Sequence, residues 1–303
     1  MSTPPSLQLL VDQTVNAQPE VAWSIKLADH SGRILAAYGA ERSLRTASVG
    51  KLLLLCELAA RLEAGSEQAG TMVSVNRVPG VGGSGLLQYL SIGQLSLNDL
   101  AVLVAAVSDN FATNLLLDHI GLGAVWQREA ALGLTATHLH DQIRNGRSAA
   151  DPPTFSTGSA AELNGLIAAM ASGRLVSTAV SRQLRTWLSA NADTSMVAAP
   201  FDLDPLEHGQ DSEPALLLFN KTGTDAGIRA DVGQVGLPGR ADDRLALSYA
   251  VIANWDEAAH DCTTAVLASM HRLGQGLREL LLGPGDGPSP ALDVSPGPGP
   301  IAE

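Results

Sequence analysis

Lysine is almost absent from this 303-residue chain, which has three, Lys26, Lys51 and Lys221; in all, 19 Lys and Arg face 31 Asp and Glu. A formal net charge of -12 leaves no reserve of basic side chains for a nucleic-acid groove or an anionic membrane surface, since both need clustered Lys and Arg. Neither partner is expected. Cysteine is scarcer still. Cys56 and Cys262 lie far apart on segments of helical pattern, at no spacing that suits a metal. They read as buried thiols, and a bridge between them has no support. A secretory pattern is missing too, because no basic residue precedes Lys26 and Met1 to Gln18 has no apolar core. As written, the chain is expected in the cytoplasm, or in the periplasm or outside the cell if a leader has been removed. What the chain does have is 45% hydrophobic residues, enough for one large domain or two that share a cleft.

Residues Val21 to Leu27 alternate like a half-buried strand, and Asp29-His30-Ser31-Gly32 turns into a second run, Arg33 to Tyr38, so a hairpin is predicted. A helix opened by Ser48 runs through Leu52, Cys56, Ala59 and Leu62 to a stop at Gly65. Ser96-Leu97-Asn98-Asp99 has the form of a capping box with Asp at its last position, before an apolar helix, Leu100 to Val107. Ser108-Asp109-Asn110 separates that helix from the next, which starts at Phe111 and closes at Gly121. Thr135 to Thr157 has no period and reads as a long loop; helices return at Ser159 to Met170 and Ser177 to Leu188. Strands are predicted at Leu216 to Lys221, Asp231 to Leu237 and Leu245 to Ala253, then a helix capped by Asp256 and ending near Leu282. Gly283 to Glu303 is mostly Gly, Pro, Ser and Asp and is expected to be disordered.

Strands, a helical block, then strands and a helix imply an α+β chain. The first and last pieces must share one antiparallel sheet of about five strands, or their edges would stay unpaired. The expected division is a discontinuous sheet subdomain, 1–47 with 210–282, around an inserted all-α subdomain, 48–209, with the cleft between them.

Ser48 and Lys51, three apart on one helix face, form the first chemical pair. A serine hydroxyl is a poor nucleophile until a base takes its proton, and a lysine serves only when its pKa is lowered. The apolar run Leu52 to Leu55 would desolvate Lys51, and a second cation would push the same way. Ser108/Asn110 and Lys221/Thr222 are polar clusters predicted to face the same cleft.

Ser48-x-x-Lys51, Ser108-Asp109-Asn110 and Lys221-Thr222-Gly223 occur in the order of the serine β-lactamase and penicillin-binding signature. With Gly82-Gly83-Ser84-Gly85-Leu86-Leu87 before the second motif and Ala112-Thr113-Asn114-Leu115-Leu116 after it, the chain resembles that family over roughly residues 20 to 282. Ser48 and Ser108 are 60 positions apart, as in the class A branch. The resemblance implies a β-lactamase-like fold and an acyl-enzyme on Ser48, formed from a β-lactam or an acyl-D-alanine-like amide. Lys51 would take the serine proton and Ser108 relay one to the leaving nitrogen. The backbone N–H groups of Ser48 and Thr224 would receive the oxyanion. Asn110 would hold Lys51 and the substrate amide; Lys221, Thr222, Thr224 and Arg229 would receive the carboxylate, with Gly223 letting substrate lie against the strand. A solvated loop arginine is the other reading of Arg229, and Asp109 reads as a brace. The resemblance implies no cofactor.

The loop departs from the class A pattern, which carries a glutamate in Glu-x-x-Leu-Asn to activate the deacylating water. No glutamate lies between Glu129 and Glu162. Counting from Ser108 lands on Arg144, and counting back from Ser156 lands near Gln142; Asp141 is the nearest carboxylate and the candidate deacylation base. Slow deacylation is therefore expected, with a D,D-peptidase or esterase-like penicillin-binding protein, or a non-turnover β-lactam-binding module, as the alternatives. His138-Leu139-His140-Asp141 has zinc-ligand residue types, but the rest of a metallo-hydrolase pattern is missing, so no metal is expected. The tyrosine that often gates the class A cleft has no counterpart near Gly83.

Overall fold

A computed structural model describes residues 6–206, 216–238 and 246–283. The N-terminal hairpin and the three C-terminal strands form one antiparallel sheet in the order β2-β1-β10-β9-β8: β1 (Ala22–Asp29), β2 (Ile34–Tyr38), β8 (Leu217–Asp225), β9 (Ile228–Gly236) and β10 (Ala246–Asn254). Its closure rests on β1 against β10, with Ile25 opposite Val251. Every residue of β10 is buried, as a central strand covered on both faces requires. Its side chains divide by parity. Leu247, Tyr249, Val251 and Ala253 join a core with Trp23, Ile25 and Leu27 on the outer face. Ala250 and Ile252 join the inner core with Ala230, Val232 and Phe219.

Two helices cover the outer face, α1 (Leu7–Ala17) and α8 (Thr263–Leu282). They approach closely where Gly276 leaves room for Leu7 and Leu10, whose methyls lie 2.8 and 2.7 Å from where a Cβ would stand. On the inner face α6 (Ala160–Ala171) packs on β1, β9 and β10. The remaining helices extend from it: α2 (Lys51–Glu63), α3 (Leu97–Ala106), α4 (Asn110–Ile120), α5 (Leu122–Ala131) and α7 (Thr178–Leu188). One apolar cluster runs from these helices to the inner sheet face, so the helical block and the sheet share a core. Small ladders complete the chain, β3 (Leu44–Arg45) with β7 (Ser156–Gly158) and β6 (His138–Leu139), and β4 (Met72–Ser74) with β5 (Gln94–Ser96).

Several boundaries differ from the sequence expectations for physical reasons. Ser48 lies inside a 3-10 turn, Ala47–Gly50, and α2 begins only at Lys51. Gly50 is needed because a Cβ there would stand 2.3 Å from that of Ser156. The Ser96 hydroxyl accepts from the Asp99 N–H as a cap should, so α3 starts at Leu97. Strand β9 starts at Ile228, which puts Arg229 in the sheet rather than in a loop. Asp256 caps only a turn, accepting from the Ala258 and Ala259 N–H groups, and α8 begins seven residues later. Both cysteines are free and buried, Cys56 in the inner core and Cys262 in the outer one. The boundary expected near 210 and the tail after Gly283 lie outside the described residues. No helix among the described residues is long and apolar enough to cross a membrane.

Candidate active site

Three chain segments bring the expected polar groups together. The first is the 3-10 turn into α2. Ala47 has φ +45°, a left-handed bend that turns the chain into the helix with Ser48 at the cavity surface. Lys51, one turn on, is fully buried. The second is the α3–α4 junction, where Ser108 has φ +53°. That bend points both its carbonyl and its hydroxyl at Lys51: Nζ lies 2.6 Å from Ser108 O, 3.1 Å from Ser108 Oγ and 2.8 Å from Asn110 Oδ1. Asp109 braces the junction, capping α4 through the Ala112 N–H at 2.9 Å and accepting from the Leu86 and Leu87 N–H groups at 2.7 Å each.

The third segment is β8, an edge strand whose free side faces the turn. A Cβ on Gly223 would stand 2.1 Å from Thr46 O and 3.2 Å from the Ser48 N, so only glycine allows the strand to lie beside the nucleophile. Lys221, buried on the same strand, donates to Thr222 O at 3.0 Å. Thr222 and Thr224 line a cavity of about 350 Å³ with Ser48 and Ser108.

Burial drives the electrostatics of both lysines. Lys51 is pushed well below its usual pKa by desolvation and then by the charge of Lys221, against the pull of Asp109. Desolvation lowers Lys221 to about 8, opposed by Asp193 and Asp231. A neutral Lys51 has two N–H bonds, matching its two short acceptors, Ser108 O and Asn110 Oδ1, and one lone pair for a proton. The geometry therefore suits a base.

Two carboxylates beneath the cleft gave no motif signal. Asp193 lines the cavity and accepts from Ser195 Oγ at 2.6 Å and from the Thr222 hydroxyl. Burial would raise it, but those bonds and Lys221 hold it below the usual carboxylate range. Asp231 is fully buried and desolvation pushes it up to about 7, although it accepts from Asn220 Nδ2 at 3.0 Å and the Val197 N–H at 3.0 Å. An Asp preceded and followed by strand residues, Ala230 and Val232, was the available hint.

The loop side of Ser48 is built differently. A cavity of about 390 Å³ is lined by Ser48, Asn110, Thr224, Phe155, Ile143 and the loop arginines. Ile143 is pinned through its backbone, its N–H donating to Asn114 Oδ1 and its carbonyl accepting from Asn114 Nδ2, each at 2.9 Å. Asp141 is not part of this lining. Its carboxylate is bound by Arg144 Nε at 2.6 Å, Arg147 Nη1 at 2.7 Å and the Gln142 N–H at 2.8 Å. Burial would raise its pKa, yet the two guanidiniums keep it low. Arg144 also pairs with Asp151 at 3.2 Å. The two counts landed on Gln142 and Arg144, either side of Ile143; Ile143 and Arg144 line the cavity and Gln142 does not. His138 pairs with Glu129 at 3.0 Å and His140 with Thr157 Oγ1 at 2.8 Å, so the two imidazoles bind different partners.

Arg229 is apart from the Ser48 cluster. It stands opposite Thr224 in the sheet, donates to the carbonyls of Asp225 and Ile228 at 3.0 and 2.7 Å, and stacks on Trp255 at 5.7 Å.

These elements define a β-lactamase-like fold with its three motifs around one cleft. Similar solved structures include a β-lactamase from Sphaerobacter thermophilus, 21% identical, TM-score 0.75, covering 90% of this chain and 96% of that one. PBP-A is 18% identical, TM-score 0.74, over 92% and 98%. An ancestral class A β-lactamase is 22% identical, TM-score 0.72, over 90% and 99%. Comparison with curated proteins gives no match by sequence. The model of the beta-lactamase enzyme family matches residues 7–260, and the chain belongs to that family.

Proposed function

We propose that this chain is a serine β-lactamase-like hydrolase that forms an acyl-enzyme on Ser48 and releases it slowly. The observation that carries the reading is Lys51, three residues after Ser48, buried, depressed in pKa and hydrogen-bonded to Ser108 and Asn110. Lys51 takes the Ser48 proton, directly or through a water, as Oγ bonds to the lactam carbonyl carbon. The oxyanion is received by the backbone N–H groups of Ser48 and Thr224. As the ring C–N bond breaks, Ser108 passes a proton to the leaving nitrogen and regains one from Lys51. Lys221 and the threonine hydroxyls bind the substrate carboxylate, and Asn110 receives its side-chain amide.

Hydrolysis of the ester requires a base within about 3 Å of the attacking water. On the loop side, Ile143 lines the cavity beside Arg144, Asn145 and Arg147, with no carboxylate among them, while Asp141 is committed to Arg144 and Arg147. A D,D-peptidase or esterase-like penicillin-binding activity is the second reading. The same apolar residue favours it, as does the similarity to PBP-A, a mutant of which was solved as an acyl-enzyme complex with penicillin G. Intact-mass analysis and peptide mapping after brief penicillin treatment test the proposal. One adduct on the Ser48 peptide is expected; an adduct on Ser108 with Ser48 unmodified would overturn the assignment.

A further inference from the structure

On the outer side of the sheet, away from the residues that line the Ser48 cavities, three donors of different chemistry converge. Glu20 lies in the turn between α1 and β1, and His260 and Cys262 lie in the approach to α8, of which Cys262 is the N-cap residue. Their ligand atoms all lie within 4.8 Å of one another. We infer that Glu20, His260 and Cys262 form a site for a zinc-like divalent metal that ties the turn before β1 to the start of α8.

Geometry and donor chemistry support this together. Adjacent donors of a tetrahedral zinc centre stand roughly 3.5 Å apart. Cys262 Sγ is already 3.6 Å from Glu20 Oε1. The imidazole belongs to an exposed residue and closes the remaining distance by side-chain rotation. A thiolate and an imidazole select a borderline-soft ion over Mg²⁺ or Ca²⁺, which take oxygen donors. Thiolate plus carboxylate neutralise a divalent charge, and the chain's -12 draws cations. Cys262 is 2% exposed while the other two donors face water, giving the ion an apolar wall on one side and a water for its fourth ligand on the other. The Cys262 side chain makes no cap bond to α8 and faces Glu20 instead. Burial and Glu20 hold the thiol protonated, so binding exchanges the S–H proton, released to solvent, for an S–metal bond. Glu20 and Cys262 are 242 positions apart, so the ion would cross-link the two ends of the fold.

The test is Co²⁺ titration of the chain kept reduced with a phosphine, which does not itself supply thiols. One equivalent should give a near-ultraviolet thiolate-to-cobalt charge-transfer band that Zn²⁺ displaces. Cys262→Ser should abolish the band and Cys56→Ser should retain it. Exposed His260→Ala and Glu20→Gln, which leave the core intact, should each weaken binding roughly tenfold or more. Zn²⁺ should raise the melting temperature of the parent chain and not of Cys262→Ser. Absence of the band, its survival in Cys262→Ser, or unchanged affinity in both His260→Ala and Glu20→Gln would overturn the site.

Discussion

On the wall of the cleft made by α2, the α3–α4 junction and β8, Ser108 and Asn110 hold Lys51, three residues after Ser48, and two buried lysines sit there with lowered pKa. On the opposite wall, the charged groups answer one another. Asp141 holds Arg144 and Arg147, Arg144 holds Asp151, and an isoleucine lines the cavity. A carboxylate near the counted position of the base is thus not a carboxylate available to Ser48. The proposed reaction assigns formation of the ester to the first wall and its slow release to the second.

The comparison breaks most severely at Ser48 and Lys51. Ser48→Ala should abolish acylation, and Lys51→Ala should slow it by about 10²- to 10⁴-fold, the usual contribution of a positioned base. Stopped-flow acylation with a chromogenic cephalosporin reads both, and a Lys51→Ala rate within a factor of a few of the parent would remove the lysine from the proton path. The second wall is sharpened by Ile143→Glu, which places a carboxylate at a backbone position already clamped by Asn114. Deacylation should rise by about 10²-fold or more if base supply is what limits it. Asp141→Asn, by contrast, should leave turnover nearly unchanged while lowering the melting temperature, because it takes the charge from two guanidinium contacts. Faster loss of turnover than of stability in Asp141→Asn would return that residue to the chemistry.

The reach of sequence reasoning follows from the range of the signals. Ser48, Lys51, Ser108, Asn110 and Lys221 were legible because each motif is local, and the shared sheet was legible because two strand fragments need partners. Helix α1 was missed although Ser6 caps it and Leu7, Leu10, Val11 and Thr14 follow a helical period. The sequence reading sets that segment only against a leader pattern. Helix α5 follows α4 directly at Gly121, φ +85°, where a glycine read as a stop is also the next helix's start. The loop resisted for a different reason. The placing of Ile143 in the cavity lining depends on Asn114, 29 residues away, and counting along the chain cannot supply a long-range clamp.

Two smaller effects concern protons. Lys221, lowered to about 8, is charged below that pH and neutral above it. Acylation by a carboxylate-bearing substrate should therefore fall as pH rises through about 8. Rates measured against pH check this, and Lys221→Arg, always charged, should move the limb upward if the packing holds it; a limb unmoved from 8 would assign it elsewhere. Asp231 keeps its proton in the folded chain to about 7 against an ordinary 3.8. Between those values the native state binds more protons than the unfolded one, so the contribution of Asp231 to stability falls as pH rises. Denaturant unfolding at pH 5 and 7.5 should then show Asp231→Asn gaining on the parent at the higher pH, and a constant difference would contradict the shift.

The contrast between the two walls is tested most directly by pre-steady-state hydrolysis of a chromogenic β-lactam at enzyme concentrations high enough to see one turnover. A burst of one equivalent per Ser48 followed by a slow second phase is the expected result. Rapid linear turnover with no burst would contradict the account, because the loop wall would then be supplying a base that Ile143 and the occupied Asp141 do not.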